Sequence, residues 1–148
     1  MRAVVQRTTE ASVTVEGEIV GEIGRGLVVF LGVEEGDTEA DLVYICDKIT
    51  GLRVFDDENE IPNRSVQDIG GSVLLISQFT LCADARKGKR PSYIKAARPE
   101  TAIPLYEAAL ARVAQSVPVQ HGVFQANMQE RLVNDGPHTI LLDSKKVF

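Results

Sequence analysis

Leu27 to Val33 reads Leu-Val-Val-Phe-Leu-Gly-Val, with no polar side chain at any position. A strand with one wet face alternates apolar and polar residues; this one does not, so both of its faces must be covered. It is placed as a central, fully buried strand, and the rest of the chain must supply cover on each side. A second run, Ser72 to Leu81, starts the same way with Val73, Leu74, Leu75 and Ile76, then turns polar at Ser77-Gln78-Phe79-Thr80. Alternation puts Ser77 and Phe79 on one face and Gln78 and Thr80 on the other. A buried strand that becomes polar at its C-terminal end either houses a site or emerges into solvent.

The remaining elements fit around these two. Arg2 to Val15 is rich in β-branched residues, and Glu16-Gly17 turns it into Glu18 to Ile23 as a hairpin. Thr38 with Asp41 three residues on resembles a capping box. Leu42, Ile45, Cys46 and Ile49 follow at helical spacing, and Gly51 stops the helix. Cys46 lies on that buried stripe and reads as core. Leu52 to Phe55 is a short strand. The acidic Asp56 to Glu60 lacks the alternating ligands and central Gly of a calcium loop and reads as a solvated turn. A second helix is expected over Pro99 to Gln115, with Ile103, Tyr106, Leu110 and Val113 as its stripe and Pro104 in its first turn or kinking it. Val117 to Gln125, Ala126 to Val133 and Thr139 to Leu142 are further strands. The sum is seven or eight strands and two helices, an α+β domain, with one domain expected over residues 1–148.

Asn134-Asp135-Gly136-Pro137-His138-Thr139 falls between the last two apolar runs and reads first as a strand-to-strand turn. Gly accepts positive φ, Pro fixes φ and lacks an N–H, and an X–Pro bond can be cis for only about 0.5–1 kcal/mol. Such a pair can aim two carbonyl groups in a direction open to no other dipeptide.

Charge and composition narrow the function. The chain of 148 residues is 44% hydrophobic and 25% charged, as globular domains are. No apolar run approaches the roughly 20 residues of a membrane span, and Met1 to Arg7 does not read as an export signal, so none is expected. Cys46 and Cys82, with two separate histidines, have no metal-ligand spacing, so no metal site or cofactor is expected, and the reducing cytosol is the expected compartment. Net charge is −5, but Arg86, Lys87, Lys89, Arg90, Lys95 and Arg98 fall between Ala85 and Pro99 with no acid, so that segment is +6 and the remainder −11. An acidic body with one basic loop points to a phosphate contact or to a merely solvated loop.

Three chemistries are open to these residues. A Cys82 nucleophile with His121 or His138 has nothing to fix its distance or orient the base. Thr80 as nucleophile has no His, Lys or carboxylate between Ser72 and Leu81 to activate it. In the third, the strand end binds: the N–H groups of Phe79 and Thr80 and the Gln78 amide hold a carbonyl or hydroxyl, and the substrate brings its own nucleophile or an ordered water. The residues alone reach an α+β domain with a candidate small-ester site and a phosphate-contacting loop.

Ser77-Gln78-Phe79-Thr80-Leu81 together with Asn134-Asp135-Gly136-Pro137-His138-Thr139 closely resembles the two signature motifs of the D-aminoacyl-tRNA deacylases. The resemblance runs through Met1 to Arg7, Gly24-Arg25-Gly26-Leu27, Leu52-Arg53-Val54-Phe55, Gly88-Lys89-Arg90-Pro91-Ser92, Phe124, Ala126 and Met128. It implies a mostly antiparallel, barrel-like sheet with two principal helices, in a cytoplasmic homodimer that acts on tRNA, with no DNA or membrane partner. The implied reaction is hydrolysis of D-aminoacyl esters, and of glycyl esters, at the 3′-terminal adenosine. Ser77, Gln78, Phe79 and Thr80 would bind the aminoacyl-adenosine, with Gln78 and Thr80 positioning rather than attacking, Phe79 beside the adenosine and Met128 near the pocket. A cis Gly136-Pro137 pair from the other subunit, held by Arg7, would turn L side chains away. The tRNA 2′-OH with water would carry the hydrolysis. His138 stands where the family usually has Val, and Ile61-Pro62 replaces a common Lys-Met pair. The rivals are a conventional Thr80 or Cys82 esterase and a non-catalytic tRNA-binding module, like the similar domain of archaeal threonyl-tRNA synthetases.

Overall fold

Glu16 and Gly17 both take positive φ, 49° and 82°. That is the turn whose twist matches two right-twisted strands, so β1 (Arg2–Val15) folds directly onto β2 (Glu18–Ile23). The computed structural model describes residues 1–148. β3 (Gly26–Gly32) then pairs antiparallel with Arg2 to Thr8 of β1. β6 (Ser72–Ser77) pairs parallel with β3, and β7 (Val119–His121) parallel with β6. β8 (Gln129–Asp143) runs antiparallel along nearly the whole of β1. Because β1 shares Arg2 to Gln6 with both β3 and β8, these two strands lie on opposite edges of it. The order is β2-β1-β3-β6-β7, with β8 on the free side of β1. Gly21 of β2 comes so near β7 that a Cβ there would sit 2.6 Å from the His121 carbonyl oxygen, so the sheet curls into a nearly closed barrel. With a small hairpin of β4 (Phe55–Asp56) and β5 (Pro62–Arg64), four antiparallel pairings stand against two parallel ones.

Both parallel steps need crossovers, and each carries a helix. α1 (Glu39–Gly51) lies between β3 and β6, and α2 (Pro99–Ala114) between β6 and β7. The two helices pack on each other and on one face of the sheet. Leu27, Val29 and Leu31 of β3 and Val73 and Leu75 of β6 face them, with Leu42, Ile45, Cys46 and Ile49 of α1. Val28, Leu74 and Ile76 face the other way into a smaller core with Ala11, Val13 and Ile23. The two-sided burial expected of the Leu27 run is met in this way, by helices on one face and the curled sheet on the other.

Several expectations are corrected. The second strand does not continue to Leu81. It ends at Ser77, and Phe79–Cys82 forms a 3₁₀ turn, so Phe79 and Thr80 do not alternate across a sheet. Gly32 explains the break: a Cβ there would meet the Gln78 carbonyl oxygen at 2.9 Å and Leu81 Cβ at 3.0 Å, so its absence lets the turn fold down onto the end of β3. Leu52 caps α1, and the strand beyond it is Phe55–Asp56. In α2, Tyr106 and Val113 are buried as expected, Leu110 packs against the core partly buried, and the fully buried stripe is completed by Ala102 and Ala109 rather than Ile103. Pro104 lies in the second turn of α2, where it leaves the Glu100 carbonyl without its helical donor. Val117 to Gln125 shortens to Val119–His121, and the last two strands are one, β8, running through Gly136-Pro137.

The α1 capping box is present. Thr38 N–H donates to Asp41 Oδ2 at 2.8 Å, and Ser144 Oγ donates to Asp41 Oδ1 at 2.6 Å, tying the helix start to the end of β8. Burial pushes the Asp41 carboxyl up, but the hydrogen bonds from Ser144 and Thr38 outweigh it and hold the group at about 2. A depressed carboxylate stabilises the fold above its unfolded value near 4, and that contribution is lost as pH falls toward 2. Asp41→Asn should lower stability at pH 7 by about 1 kcal/mol and reduce the loss between pH 4 and 2, as measured by urea unfolding across that range.

Candidate active site

The end of β6 is fixed from its outer edge. β7 pairs only with Val73 to Leu75, so β6 outruns its neighbour. Tyr106 of α2 reaches into the gap: its hydroxyl donates to the Leu75 carbonyl at 2.8 Å. Burial pushes this phenol well above its ordinary value, and the Ser77 N–H only partly offsets that, so the ring stays a neutral donor. On the inner edge, Gln78 N–H donates to the Leu31 carbonyl at 2.8 Å. The chain then turns. Phe79 and Thr80 open the 3₁₀ turn, so their N–H groups have no carbonyl within it to bond. The Gln78 amide donates to Thr80 Oγ1.

Beside this turn is a cleft of about 640 Å³. Ser77, Gln78 and Phe79 form one wall and Phe124 to Met128 another, with Glu130 of β8 and the start of α2 closing it. Gly122 makes room for Met128: a Cβ at Gly122 would stand 2.4 Å from its sulfur. Phe124 packs against Tyr106, with ring centroids 6.1 Å apart. Glu130 is the one charged side chain in the lining, and partial desolvation against the cleft wall raises its carboxyl above the ordinary range. Reading by motif missed it, although its spacing from Met128 and Leu132 along one strand puts all three on the same face.

No nucleophile–base pair is assembled. Cys82 is buried and donates to the Val33 carbonyl at 3.5 Å, with its thiol pushed up to about 11 by burial and then by Glu34, against Arg2. His121 Nδ1 faces its neighbour, the Gly122 carbonyl. Thr80 has the Gln78 amide as its side-chain partner, and no base. No cluster of three or more His, Cys, Asp or Glu side chains is arranged to hold a metal ion.

Thr80 is not part of the lining. Arg7, Gly136 and Pro137 do not line this cleft either. They form a second constellation where β1 and β8 fall out of step. Gln6 pairs with Thr139 and Thr8 with Asn134, so Arg7 alone stands opposite Asp135, Gly136, Pro137 and His138. The connection is therefore a wide bulge within one strand rather than a turn, and the Gly136–Pro137 bond is cis. Both legs are pinned. Gln6 accepts from Thr139 Oγ1 at 3.0 Å and donates to Asn134 Oδ1 at 3.4 Å. The buried Arg7 donates through Nε to the Asp135 carbonyl at 3.0 Å and pairs with its carboxylate at 3.1 Å, while Nη1 donates to the Val54 carbonyl at 2.7 Å. Gly136 and Pro137 are exposed, and the outer edge of β8 carries no strand.

The chain as a whole has relatives among known proteins. Residues 4–143 fit the family model described as D-Tyr-tRNA(Tyr) deacylase. The chain belongs to the D-aminoacyl-tRNA deacylase family. Within that family it is 60% identical over 149 aligned residues, the full length of both chains, to the D-aminoacyl-tRNA deacylase of Desulfitobacterium hafniense, and 60% identical to that of Koribacter versatilis. Among solved structures it superposes on the c-Myc DNA Unwinding Element Binding Protein with a TM-score of 0.92 at 41% identity, covering 97% of this chain and 98% of that one. A probable eukaryotic D-amino acid tRNA deacylase shares the fold at a TM-score of 0.77 and 16% identity, over 95% of this chain and 98% of that one.

Arg7 is the keystone of the bulge. Arg7→Met should cost about 2–3 kcal/mol, since it leaves the Val54 carbonyl and the Asp135 carboxylate without their donor. Thermal unfolding should show a fall of roughly 5–10 °C.

Proposed function

We propose that this chain acts as its family does, hydrolysing the ester between a D-amino acid and the 3′-terminal adenosine of tRNA, and glycyl esters as well. The observation that carries the reading is a cleft supplied with backbone and amide donors but with no nucleophile–base pair. Such a site binds and orients an ester and leaves the attack to a group that arrives with the substrate. The terminal 2′-OH, adjacent to the ester, with a bound water, fills that role. Ser77, Gln78, Phe79 and Thr80 receive the aminoacyl-adenosine, and Met128 bounds the pocket.

Selectivity comes from a second copy of the chain. The bulge at Gly136-Pro137 is exposed and pinned by Arg7, and beside it runs an unpaired strand edge carrying the exposed Val133 and Leu141. A free edge of that kind is a template for association. In a homodimer the bulge of one subunit enters the cleft of the other, where its two carbonyl groups collide with an L side chain. A D side chain points away and glycine has none, so discrimination works by exclusion.

Paired D- and L-tyrosyl-tRNA assays test this directly. The D ester should be released and the L ester spared, and no release of the D ester over background would favour the non-catalytic module. Pro137→Ala should raise L-ester cleavage relative to D by about tenfold or more. Thr80→Ala should raise KM more than it lowers kcat, while Cys82→Ala should stay within about twofold in turnover. Substrate lacking the terminal 2′-OH should be cleaved roughly 100-fold more slowly or worse, and equal rates would remove the substrate from the mechanism. Light scattering should report a dimer.

A further inference from the structure

The basic segment is untouched by the site described so far, yet it is built against it. Asp84 and Ser92 exchange both backbone hydrogen bonds, at 2.8 and 2.9 Å, and close the segment between them into a loop. Arg86 folds back on Asp84 through Nε, at 2.9 Å, and Nη2, so those two charges cancel. Lys87, Lys89, Arg90, Lys95 and Arg98 have no acidic partner. Lys87 and Arg90 border a polar hollow of about 540 Å³ with Ser92 and the Asp84–Arg86 pair. Next along the chain is Tyr93, which is 42% exposed and meets the ring of Phe79 edge-on at 5.3 Å between centroids. Phe79 itself lines the cleft, and so do Ala97 and Pro99 at the far end of the basic segment. A run of unpaired cations thus leads to an exposed aromatic ring, and that ring touches the wall of the ester cleft.

We propose that this loop holds the single-stranded 3′ end of tRNA upstream of the esterified adenosine, with Lys87 and Arg90 on backbone phosphates and a base stacked on Tyr93. The proposal rests on the ester reading above and names which part of that substrate is gripped and where. Charge complementarity argues for it. The segment from Ala85 to Pro99 is +6 and the rest of the chain −11, which repels a polyanion; with Arg86 held by Asp84, the cations at Lys87, Lys89, Arg90, Lys95 and Arg98 are where its phosphates can settle. The pairing of cations with an exposed ring is what unstacked nucleotides require, because phosphates take the charges and a base takes the ring. A duplex keeps its bases stacked and offers nothing to Tyr93.

Fluorescence anisotropy with uncharged tRNA reads the surface without reading catalysis. Tyr93→Ala should weaken binding about tenfold, and Tyr93→Phe should restore it. Lys87→Gln with Arg90→Gln should weaken binding and lower the salt slope by about 0.7 for each phosphate left without its cation. Transfer RNA trimmed of its single-stranded 3′ nucleotides should bind wild type at least tenfold more weakly and be indifferent to Tyr93→Ala. In deacylation, the kcat/KM ratio of D-tyrosyl-tRNA to D-tyrosyl-adenosine should fall at least tenfold in these variants. The proposal is overturned if wild type does not bind tRNA, if trimmed tRNA binds as well as intact tRNA, if both esters lose activity equally, or if the variants change the oligomeric state in light scattering while RNA affinity stays put. Failure of the ester reading looks different: no ester is cleaved, yet tRNA affinity still follows Tyr93 and the two cations.

Discussion

The structure depends on β1 being hydrogen-bonded along both edges. Its first half is shared between β3 and β8, its second half between β2 and β8, and no other strand touches so much of the fold. That arrangement fixes where each end of the molecule must lie. It brings the last strand beside the first and leaves the far edge of β8 as the open side of the sheet. It also decides where a defect in pairing can be accommodated. The one position of β1 that faces a wide excess of chain is Arg7, and a guanidinium is suited to it: its planar array of donors can meet a carbonyl, a carboxylate and a second carbonyl at once.

The cleft is organised on a different principle. Its β6 wall is largely main chain, and the groups that shape it act from outside. Tyr106 gives the Leu75 carbonyl a donor where β7 ends, Gly32 gives the 3₁₀ turn a place to rest, and Gly122 gives Met128 its position. Main-chain donors survive every side-chain substitution except one to proline, so the sensitive positions are chiefly those supports.

Elements set by local chemistry were legible in the sequence. The Thr38–Asp41 capping box, the Glu16-Gly17 turn and the buried Leu27 run each carry their own signal within a few residues, and the structure has all three. What was misread depends on partners far along the chain. Nothing between Ser72 and Leu81 states that β6 stops at Ser77, because the space its turn occupies is made by a missing side chain at Gly32. Gly136-Pro137 is punctuation in any local reading, and only Gln6 and Arg7, some 130 residues away, turn it into a bulge within a continuous strand. The α2 stripe was read in part: Tyr106 and Val113 are buried, but Ala102 and Ala109 were passed over in favour of the larger Ile103. Of the cleft lining, Ser77, Gln78, Phe79 and Met128 were named through motif and resemblance, Thr80 was named but lies outside the lining, and Glu130 belongs to no motif and emerges only when the walls are assembled.

The mismatch between β1 and β8 also does arithmetic on the two cores. In a regular strand, residues of one parity keep to one face. Here β8 inserts three extra residues between Thr139 and Asn134, and β1 inserts one between Thr8 and Glu10. Both numbers are odd, so each strand changes which parity faces which side. Ala3 and Val5 therefore serve the helix-covered core while Ala11 and Val13, of the same parity, serve the opposite one, and Ile140 and Leu142 divide from Met128 and Leu132 in the same way. The bulge can consequently change length only in steps of two. Removing one residue from it would leave every hydrogen-bonding group a potential partner and still turn half of β8 inside out.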